Sequence, residues 1–425
     1  MSGGLDILKR RGFIKQCTDE DTLEAQLETR PVAFYCGFDP TGPSLHAGHM
    51  IPLFAMAHLQ RAGHKPIALV GGGTARIGDP SGKTEMRRIL SYEEIGRNAE
   101  SIKKQIGRFL EFGEDKAMMV DNSDWLAGLN YIDFLRDIGR HFSVNRMLSF
   151  ETYKMRLETG LSFIEFNYQL LQSYDFLVLY QRYGCTLQVG GDDQWGNIVS
   201  GADLIRRMEG ADAIGLTFPL VTRADGKKMG KTEKGALYLD PKITPPYEFF
   251  QYWRNVPDPD AEKFLYLYTF LPEEEVKRLG TLQGQEVNRA KEVLAYELTK
   301  IVHGEEEADL ALEAAKAAFA APAGKPGSSA STGRGAAGSS TSGIPSLVLA
   351  AEELKAGIGV LDLFSKTSLC GSNSEARRLV QQGGAWINDR KVEDPKAAID
   401  LSWVSEGEML LRAGKKRYFR IEVSD

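Results

Sequence analysis

The sequence of 425 residues has few cysteines, no long apolar run and no excess of positive charge. Its four cysteines lie far apart and form no C-x-x-C pair, which argues against a zinc site and favours free thiols in a reducing compartment. The apolar runs end well before the roughly 20 residues that a membrane helix needs. The N-terminal stretch shows neither an apolar signal core nor a cleavage motif. We therefore expect a soluble, unexported protein of the cytoplasm that does not bind a membrane.

The charge balance limits the kinds of partner that the chain can hold by charge alone. Lys and Arg total 52 against 58 Asp and Glu, which leaves a formal net charge of −6, and the isoelectric point is about 5.7. A protein that binds nucleic acid through its overall charge is excluded, although a local basic patch would suffice. Apolar residues make up 42% of the chain, enough for sizeable cores, and the length suggests roughly two to four domains.

The first 240 residues alternate short apolar runs with helical patterns. This order predicts a mostly parallel α/β sheet of Rossmann-like type, and such sheets bind ligands beyond the carboxyl ends of their strands. The helix predicted between the first two strands covers Gly48–Arg61. The predicted strands are Val32–Cys36, Ile67–Val70, Ala117–Val120, Thr186–Val189 and Thr217–Val221.

The rest of the chain reads as a helical domain, a linker and a small C-terminal domain. Residues 245–320 lack strand signals and predict helices at Ala261–Thr269, Glu273–Leu279 and Val287–His303. Residues 321–343 consist almost entirely of Gly, Pro, Ser, Ala and Thr, which predicts a flexible linker. Residues 357–425 predict an α+β unit with helices Val360–Lys366 and Ser374–Gln382 and strands Ala385–Ile387 and Met409–Leu411.

Two histidines in His46-Ala47-Gly48-His49 open the first predicted helix directly after a strand. Imidazole donors at a helix N-terminus suit an anion, and Gly48 would let a nucleotide approach the backbone. A capping role for His46 and a packing role for His49 would be the ordinary structural explanation. The upstream segment from Tyr35 to Ser44, which contains Asp39 and Thr41, makes a ligand site the better interpretation.

A glycine-rich segment, Gly71 to Thr84, ends in Gly-Lys-Thr and resembles a phosphate-binding P-loop. The Walker A pattern needs four residues between its first glycine and the Gly-Lys pair, which would put a glycine at position 77. Position 77 is Ile, and Gly78 leaves the spacer one residue short. The P-loop interpretation therefore fails on spacing. Lys83 and Arg87 remain as a basic pair that could meet phosphate or simply face solvent.

Three further clusters carry polar side chains at places where a ligand could bind. Tyr168, Gln172 and Asp175 share one face of a mostly apolar helix, where a buried carboxylate needs a donor such as a ligand hydroxyl. An internal polar cluster is the alternative for this face. The other two clusters are Gly190-Gly191-Asp192-Asp193-Gln194, suited to a ribose, and Lys227-Lys228-Met229-Gly230-Lys231-Thr232, suited to phosphates or to solvent.

With these residues in view, the sequence resembles the bacterial-type tyrosyl-tRNA synthetases. His46-Ala47-Gly48-His49 resembles the HIGH signature of class I aminoacyl-tRNA synthetases, and Lys228-Met229-Gly230-Lys231-Thr232 resembles their KMSKS loop. The resemblance runs through nearly the whole chain. It implies formation of tyrosyl-adenylate from tyrosine and ATP, followed by transfer of the tyrosyl group to the 3′ end of tRNA(Tyr).

The resemblance also implies roles for individual residues. Tyr35 and Asp175 would bind the tyrosine phenol, Asp79, Tyr168 and Gln172 its ammonium, and Gln194 its carboxylate. Thr41 and His46 would hold the γ-phosphate side of ATP, Cys36, His49 and Asp193 the ribose, and Lys83, Arg87, Lys228 and Lys231 the departing pyrophosphate. The wider set implied for ATP is Cys36, Gly37, Asp39, His46, Gly48, His49, Gly191, Asp193, Lys228, Met229 and Lys231.

The family likeness further implies an anticodon-binding role for the helical domain and an S4-like RNA-binding module at the end of the chain. Arg377, Arg378, Lys415, Lys416 and Arg417 could contact tRNA phosphates, or could form a solvated charged face. Mg²⁺ would accompany ATP, no tightly bound cofactor or protein metal site is implied, and a homodimer with Phe163 near its interface is expected.

Two residues differ from the pattern of the family, and two alternative functions have to be weighed against it. Asp192 adds a carboxylate near the ribose side, with unknown effect, and Pro52 lacks the hydroxyl with which some relatives reach ATP. A catalytically silent RNA-binding homologue should have lost some of His46, His49, Lys228 or Lys231, and all four are present. A P-loop kinase is the second rival, already weakened by the spacing at Ile77.

Overall fold

The computed structural model describes residues 3–81, 90–226, 229–232, 235–320, 346–367, 369–405, 407–414 and 417–424. It divides into two compact units. The first unit takes in the chain up to Thr244 together with Trp253–Val302, and the second takes in Pro245–Tyr252 and the chain from His303 onward. The predicted linker at 321–343 lies outside these described ranges.

The first unit is built on a six-stranded sheet with the order β1-β6-β5-β2-β3-β4. Strands β2 to β6 run parallel, and β1 pairs antiparallel with β6 at the edge. The strands are β1 (Gln16–Cys17), β2 (Ala33–Phe38), β3 (Lys65–Val70), β4 (Met118–Asp121), β5 (Cys185–Gly191) and β6 (Ile214–Phe218). The predicted parallel α/β sheet is confirmed. The chain order changes direction between β2 and β5, which places the ligand crevice at their carboxyl ends.

One strand was predicted too late in the sequence. The prediction began at Thr217, but β6 covers Ile214–Phe218 and ends before Pro219. Gly215 weakens the strand pattern in the sequence, because glycine is unfavourable inside a strand. A Cβ at Gly215 would lie 2.3 Å from Ile198 Cγ2, so close packing against the helix that precedes this strand requires glycine at this position.

Helices cover the sheet, and the predicted helix at Gly48–Arg61 is confirmed. It begins with a 3₁₀ turn at Ala47–His49 and continues as α3. Pro52 lies in the first turn of α3, where the missing N–H costs no intrahelical hydrogen bond. The helices up to residue 209 are α1 (Gly4–Arg11), α2 (Glu20–Thr29), α3 (Met50–Arg61), α4 (Tyr92–Ile106), α5 (Ser123–Leu126), α6 (Tyr131–Asp137), α7 (Val144–Ser149), α8 (Glu151–Thr159), α9 (Phe163–Tyr183) and α10 (Trp195–Glu209).

The helical stretch after residue 245 contains the three helices whose bounds were predicted and two others, and the first unit includes much of it. A short hairpin of β7 (Lys231–Thr232) and β8 (Gly235–Ala236) precedes α11 (Pro246–Arg254), α12 (Ala261–Tyr268), α13 (Glu273–Gly280), α14 (Val287–His303) and α15 (Glu305–Ala320). The boundary predicted at 245 differs from the observed division, because Trp253–Val302 belongs to the sheet unit. Within the first unit, Arg11 of α1 links the N-terminal part of the chain to this helical stretch. It donates to the carbonyls of Tyr266, Thr269 and Leu271 at 3.0, 2.9 and 2.5 Å.

The C-terminal part contains a five-stranded sheet with the order β12-β11-β14-β15-β9. Its first strand precedes the predicted domain start at 357, because β9 pairs parallel with the last strand of the chain. Helices α17 and α18, strand β11 and the strand around Met409 occur as predicted. The elements are β9 (Ser346–Ala350), α16 (Ala351–Lys355), β10 (Ile358–Gly359), α17 (Val360–Ser365), α18 (Asn373–Gln381), β11 (Ala385–Ile387), β12 (Arg390–Lys391), β13 (Ala398–Ile399), β14 (Glu408–Ala413) and β15 (Arg417–Ser424).

Two searches of the described ranges give negative results. No helix in them is long and apolar enough to cross a membrane. No group of three or more His, Cys, Asp and Glu side chains in them is arranged to hold a metal ion. All four cysteines are described, and none of them forms a disulfide.

Candidate active site

The two histidines of the HIGH-like motif are fixed by backbone hydrogen bonds at the start of α3. His46 Nδ1 accepts from the Gly48 N–H at 3.1 Å, and His49 Nδ1 accepts from the His46 N–H at 3.1 Å. The two rings lie 4.0 Å apart. Because Nδ1 accepts in both rings, the proton of each neutral imidazole must reside on Nε2. Both side chains are therefore set to donate from Nε2, which is the arrangement that an anionic ligand needs.

Glycine at position 48 is required by the conformation of the motif. A Cβ there would lie 2.9 Å from Cε1 of His46, so any larger residue would push that ring away. Glycine at this position therefore lets the His46 ring lie directly against the N-terminus of the helix.

Backbone contacts join the HIGH-like motif to the KMSKS-like loop. Ala47 N–H donates to Leu237 O at 2.8 Å, and Leu237 N–H donates to Gly230 O at 2.7 Å. Gly230 has φ +74°, and a Cβ at this residue would lie 2.8 Å from the Ala47 Cβ. Met229 is buried beside it. Lys228 lies outside the described ranges, and the side chain of Lys231 is not described although its backbone forms β7.

A chain of hydrogen bonds crosses the crevice from the end of β2 to helix α9. Tyr168 Oη donates to Asp39 Oδ2 at 2.8 Å, and Thr74 Oγ1 donates to Asp39 Oδ1 at 2.7 Å. Asn122 Nδ2 lies 3.0 Å from Thr74 Oγ1 and donates to Asp175 Oδ2 at 2.9 Å. Asp39 thus has two donors from the protein, and Tyr168 is oriented by Asp39.

Asp175 is a buried carboxyl group held by two N–H donors. Trp125 Nε1 donates to Asp175 Oδ1 at 2.7 Å, opposite the bond from Asn122. Burial raises the pKa of Asp175 to about 8, although both hydrogen bonds oppose the shift by favouring the charged form. The side chain is therefore rigid before any ligand arrives, and it remains ready to accept or share a proton near neutral pH.

Tyr35 supplies an unsatisfied hydroxyl beside Asp175. Its side chain is fully buried, its ring packs 5.3 Å from that of Phe176, and its Oη has no hydrogen-bond partner among the residues that the structure describes. Burial and the nearby Asp175 raise the pKa of Tyr35 well above its usual value. An orphaned buried hydroxyl is costly, and a ligand hydroxyl placed between Tyr35 and Asp175 would satisfy it.

A second polar network links the loop after β3 to the loop after β5. Gln194 Nε2 donates to Asp79 Oδ2 at 2.7 Å. Asn197 Nδ2 donates both to Gln194 Oε1 at 3.2 Å and to Gln172 Oε1 at 3.0 Å. Three of the residues assigned to the amino and carboxylate ends of tyrosine are thus brought together by Asn197, to which the sequence assigned no role.

The residues assigned to the ribose come from the ends of β2 and β5. Cys36 is buried, and this burial raises the pKa of its thiol to about 12, so the group stays protonated at neutral pH. A Cβ at Gly191 would lie 2.5 Å from Asp193 Oδ1, which explains glycine at that position. Thr41 N–H donates to Asp39 O at 2.8 Å in the turn after β2. Gly37 lies within β2, one residue before its end, and is exposed.

Asp192, which the sequence left without an assigned effect, has partners on the edge of the sheet. Its Oδ1 accepts from Gln16 Nε2 at 2.7 Å and from Thr217 Oγ1 at 3.0 Å. These donors come from β1 and β6, the antiparallel pair at the sheet edge. The extra carboxylate therefore ties the end of β5 to the edge strands.

Several candidate residues cannot be placed. Lys83, Arg87, Lys415 and Lys416 lie outside the described ranges. Of the other candidates for tRNA, Arg377 and Arg378 are exposed on α18, while Arg417 donates to Leu369 O at 3.0 Å. The residues that sequence reasoning missed are Thr74, Asn122, Trp125 and Asn197, all of which orient predicted site residues.

Most of the chain matches known protein families. Residues 27–320 match the family described as "tRNA synthetases class I (W and Y)", and residues 338–421 match the family described as "Tyrosine--tRNA ligase SYY-like C-terminal domain". The tyrosine–tRNA ligase of Treponema denticola is 56% identical over 422 residues, which cover 99% of both chains. The chain belongs to the bacterial-type tyrosyl-tRNA synthetases, within class I. The resemblance found in the sequence is thereby confirmed.

Other relatives of this synthetase extend the comparison to solved structures. The tyrosine–tRNA ligase of Caldanaerobacter subterraneus is 54% identical over 99% of both chains. A C-terminally truncated mitochondrial tyrosyl-tRNA synthetase of Aspergillus nidulans is 30% identical, with a TM-score of 0.66 over 73% of this chain and 93% of that one. A tyrosyl-tRNA synthetase of Archaeoglobus fulgidus, solved with L-tyrosine, has a TM-score of 0.56 at 20% identity over 72% and 99% of the two chains, and shares the fold.

The buried Asp175 of this synthetase predicts a pH dependence of stability. Its pKa is about 8 in the folded chain against a usual 3.8, so between these values the folded state holds a proton that the unfolded state has lost. The free energy of unfolding should therefore fall as the pH rises from about 4 to 8. Urea unfolding of the wild type and of Asp175→Asn should show the wild type losing stability relative to the variant over this range. Parallel pH curves for the two proteins would contradict the prediction.

Proposed function

We propose that the chain carries out tyrosine–tRNA ligation in two steps at the crevice between β2 and β5. In the first step the tyrosine carboxylate attacks the α-phosphate of ATP, which forms tyrosyl-adenylate and releases pyrophosphate. In the second step a hydroxyl of the 3′-terminal ribose of tRNA(Tyr) attacks the tyrosyl carbonyl and releases AMP. The observation that carries the proposal is the pair of Tyr35 and Asp175. Tyr35 is a buried hydroxyl without a partner among the described residues, and it lies beside a carboxyl group fixed by two donors.

Tyrosine would be selected by hydrogen bonds that phenylalanine cannot make. The phenol would lie between Tyr35 Oη and Asp175. A phenylalanine ring would leave the Tyr35 hydroxyl buried without a partner and would give Asp175 no hydroxyl beyond its two protein donors. Asp79, Tyr168 and Gln172 would face the ammonium group, and Gln194 the carboxylate. Their contacts with Asp39 and Asn197 support these roles, because each side chain is held in place before the substrate arrives.

ATP would bind across the HIGH-like motif, with its phosphates at the N-terminus of α3. The Nε2 donors of His46 and His49 suit the charge that develops on the phosphate oxygens and the ribose end of the nucleotide. We assign Thr41 and His46 to the phosphate side, and Cys36, His49 and Asp193 to the ribose. The lysines Lys83, Lys228 and Lys231, together with Arg87, would close over the pyrophosphate.

Mg²⁺, tRNA and the cellular location complete the proposal. Mg²⁺ would enter with ATP, whose phosphate oxygens are the hard ligands that this ion prefers.

Residues 245–320 and the C-terminal part would bind tRNA, with exposed Arg377 and Arg378 available to phosphates. Four free thiols suit a reducing compartment, and we propose that the chain works in the cytoplasm.

A homodimer is proposed from the exposed apolar side chains of one stretch of sequence, which runs from α6 to the start of α9. Phe163 is 71% exposed, and exposed apolar groups that concentrate in one region often mark interfaces. Six of the fifteen exposed large apolar side chains in the described ranges lie within 33 residues of sequence: Tyr131, Ile132, Val144, Met155, Leu157 and Phe163.

Phe163→Asp is expected to convert the chain from dimer to monomer. A charge at this site would have to be desolvated on association, at a cost that a solvent-exposed monomer does not bear. Sedimentation velocity at micromolar concentration measures the change, and Tyr92→Asp, at another exposed aromatic residue, is the matched control. A Phe163→Asp protein that sediments like the wild type would rule out this interface.

The decisive test of function is exchange of labelled pyrophosphate into ATP. Exchange that depends on tyrosine, and is absent with phenylalanine or tryptophan, is the expected result because it reports adenylate formation without tRNA. Tyr35→Phe should reduce the preference for tyrosine over phenylalanine by ~5–150-fold, the equivalent of about 1–3 kcal/mol for one unpaired buried group. Folded protein that binds ATP but gives no exchange with tyrosine would overturn the proposal in favour of an RNA-binding homologue.

A further inference from the structure

Four neighbouring strands of the C-terminal sheet place cationic and aromatic side chains in one row. Strand register aligns Lys391 with Trp386, Trp386 with Arg412, and Arg412 with Tyr418. The row therefore crosses β12, β11, β14 and β15 at right angles to the strands. We call these four side chains the cation–aromatic row.

The row lies on the face of the sheet that points away from the domain core. Residues next to it in sequence, Ala385, Ile387, Leu411, Ala413 and Phe419, belong to the buried core together with side chains of α17 and α18. Side chains alternate between the two faces of a strand, so the row occupies the opposite face. Lys391 is exposed, and the other three members are half-buried.

Two arginines on this part of the domain stack against tryptophans. The Arg412 Cζ atom lies 4.5 Å from the ring centroid of Trp386, within the row. The Arg390 Cζ atom lies 5.8 Å from the ring centroid of Trp403, which packs against the domain core and does not belong to the row. Each pair presents a flat, delocalised cation beside an indole. The ion pair of Lys391 with Glu393, at 3.6 Å, is exposed and solvent-screened, so Lys391 remains able to meet another anion.

Flat cations and aromatic rings in a row are suited to unpaired nucleotides. Bases that are not paired can stack on indole, phenol or guanidinium planes while the phosphates between them meet lysine and arginine. A protein partner would more often need an apolar patch, whereas the row combines positive charge with aromatic groups. Duplex RNA would offer no free base to stack on.

We propose that the cation–aromatic row binds unpaired nucleotides of the tRNA by base stacking. The proposal rests on the proposed function, since it concerns the same tRNA, but it names a surface different from the exposed arginines of α18. Trp386 and Arg412 form the stacking platform, and Lys391 and Tyr418 extend it toward the two sides of the sheet.

The test compares tRNA binding by full-length variants whose catalytic residues are intact. Trp386→Ala and Arg412→Gln should each weaken the binding of tRNA(Tyr) transcript by ~5–150-fold, the range for the loss of one stacked base. Trp386→Phe should keep most of the affinity because a ring remains. Val348→Ala, at an exposed position on β9 of the same sheet, is the matched control and should bind like the wild type. Circular dichroism melting checks that each variant is folded.

Two further measurements separate stacking from a structural role. Pyrophosphate exchange, which needs no tRNA, should be unchanged in all variants. Binding of an oligouridine should quench tryptophan fluorescence in the wild type but much less in Trp386→Phe, because the quenched indole is absent.

The outcomes distinguish failure of this inference from failure of the proposed function. Wild-type affinity in both Trp386→Ala and Arg412→Gln, with normal exchange, would overturn the row as an RNA site and leave the synthetase function intact. A changed sedimentation coefficient with unchanged RNA affinity would also overturn it, since the row would then contact protein. Absence of tRNA binding by the wild type itself would instead count against the proposed function.

Discussion

Replacing Glu165 with alanine is expected to lower the free energy of unfolding by about 3–5 kcal/mol, because the change leaves a buried guanidinium without its counter-charge. Arg156 Nη2 donates to both carboxylate oxygens of Glu165, at 2.8 and 3.0 Å, and the two side chains are each about 2% exposed. Glu165 also accepts from Ser162 Oγ at 2.7 Å and from the Ser162 N–H at 3.1 Å. One carboxylate thus caps α9 and neutralises Arg156.

The loss of Glu165 would also affect the candidate active site, because α9 carries three of its residues. The helix positions Tyr168, Gln172 and Asp175, and Glu165 lies in its first turn. Burial raises the pKa of Glu165, but the Ser162 hydrogen bonds and the Arg156 ion pair outweigh it, so the pKa is lowered from 4.5. The contribution of Glu165 to stability is therefore present above about pH 4.5 and is lost as the pH falls below it.

Urea unfolding at pH 7 followed by circular dichroism measures the effect of Glu165→Ala. Glu151→Ala, at the exposed start of α8, is the matched control and should stay within about 0.5 kcal/mol of the wild type. A second variant, Arg156→Met with Glu165→Leu, removes both charges and should recover much of the loss. A change below about 1 kcal/mol in Glu165→Ala would show that the pair contributes little.

The sequence predicted the parts of the site that form continuous motifs next to strands. His46-Ala47-Gly48-His49, Gly190 to Gln194 and the Tyr168–Asp175 face were all recognisable, because local spacing places them at the carboxyl ends of strands or along one helix face. The sheet itself was predictable for the same reason, since its parallel strands are short apolar runs separated by helices.

The residues that orient those motifs were not predictable because they act over long distances in sequence. Asn122 and Trp125 follow the short strand β4, yet they bind Asp175 about 50 residues later. Asp192 accepts a hydrogen bond from Gln16, which lies 176 residues earlier in an edge strand only two residues long. A single amide or indole carries no periodic signal, so only the fold reveals what it holds.

The division of the chain around residue 245 was also hard to predict from the sequence. Of the five helices after it, the three with predicted bounds, α12, α13 and α14, were predicted to within about a residue, but their packing depends on particular side chains. Arg11, in a charged stretch of α1, donates hydrogen bonds to three carbonyls around the end of α12. Phe54 of α3 packs against Tyr268 at a ring-centroid distance of 6.0 Å. Nothing in the sequence of α12 indicates that its partners lie more than 200 residues earlier.

His46→Ala is expected to slow tyrosine-dependent pyrophosphate exchange by ~10²–10³-fold, the usual cost of removing one preorganised donor to developing charge. The Gly48 N–H fixes the tautomer of His46, so its Nε2–H points outward as a donor without reorganisation at the moment of reaction. His46→Gln, which keeps an N–H donor on a longer and less constrained side chain, should recover part of the rate.

The steady-state constants separate catalysis from binding in His46→Ala. A donor used only in the transition state lowers kcat and leaves the KM for tyrosine unchanged, whereas a donor used equally in the ground state raises the KM for ATP. We expect the first pattern. Because the His46 and His49 rings lie 4.0 Å apart, the loss in the double alanine variant should be smaller than the product of the two single losses. Exchange within fivefold of the wild type in His46→Ala would remove this residue from the proposed mechanism.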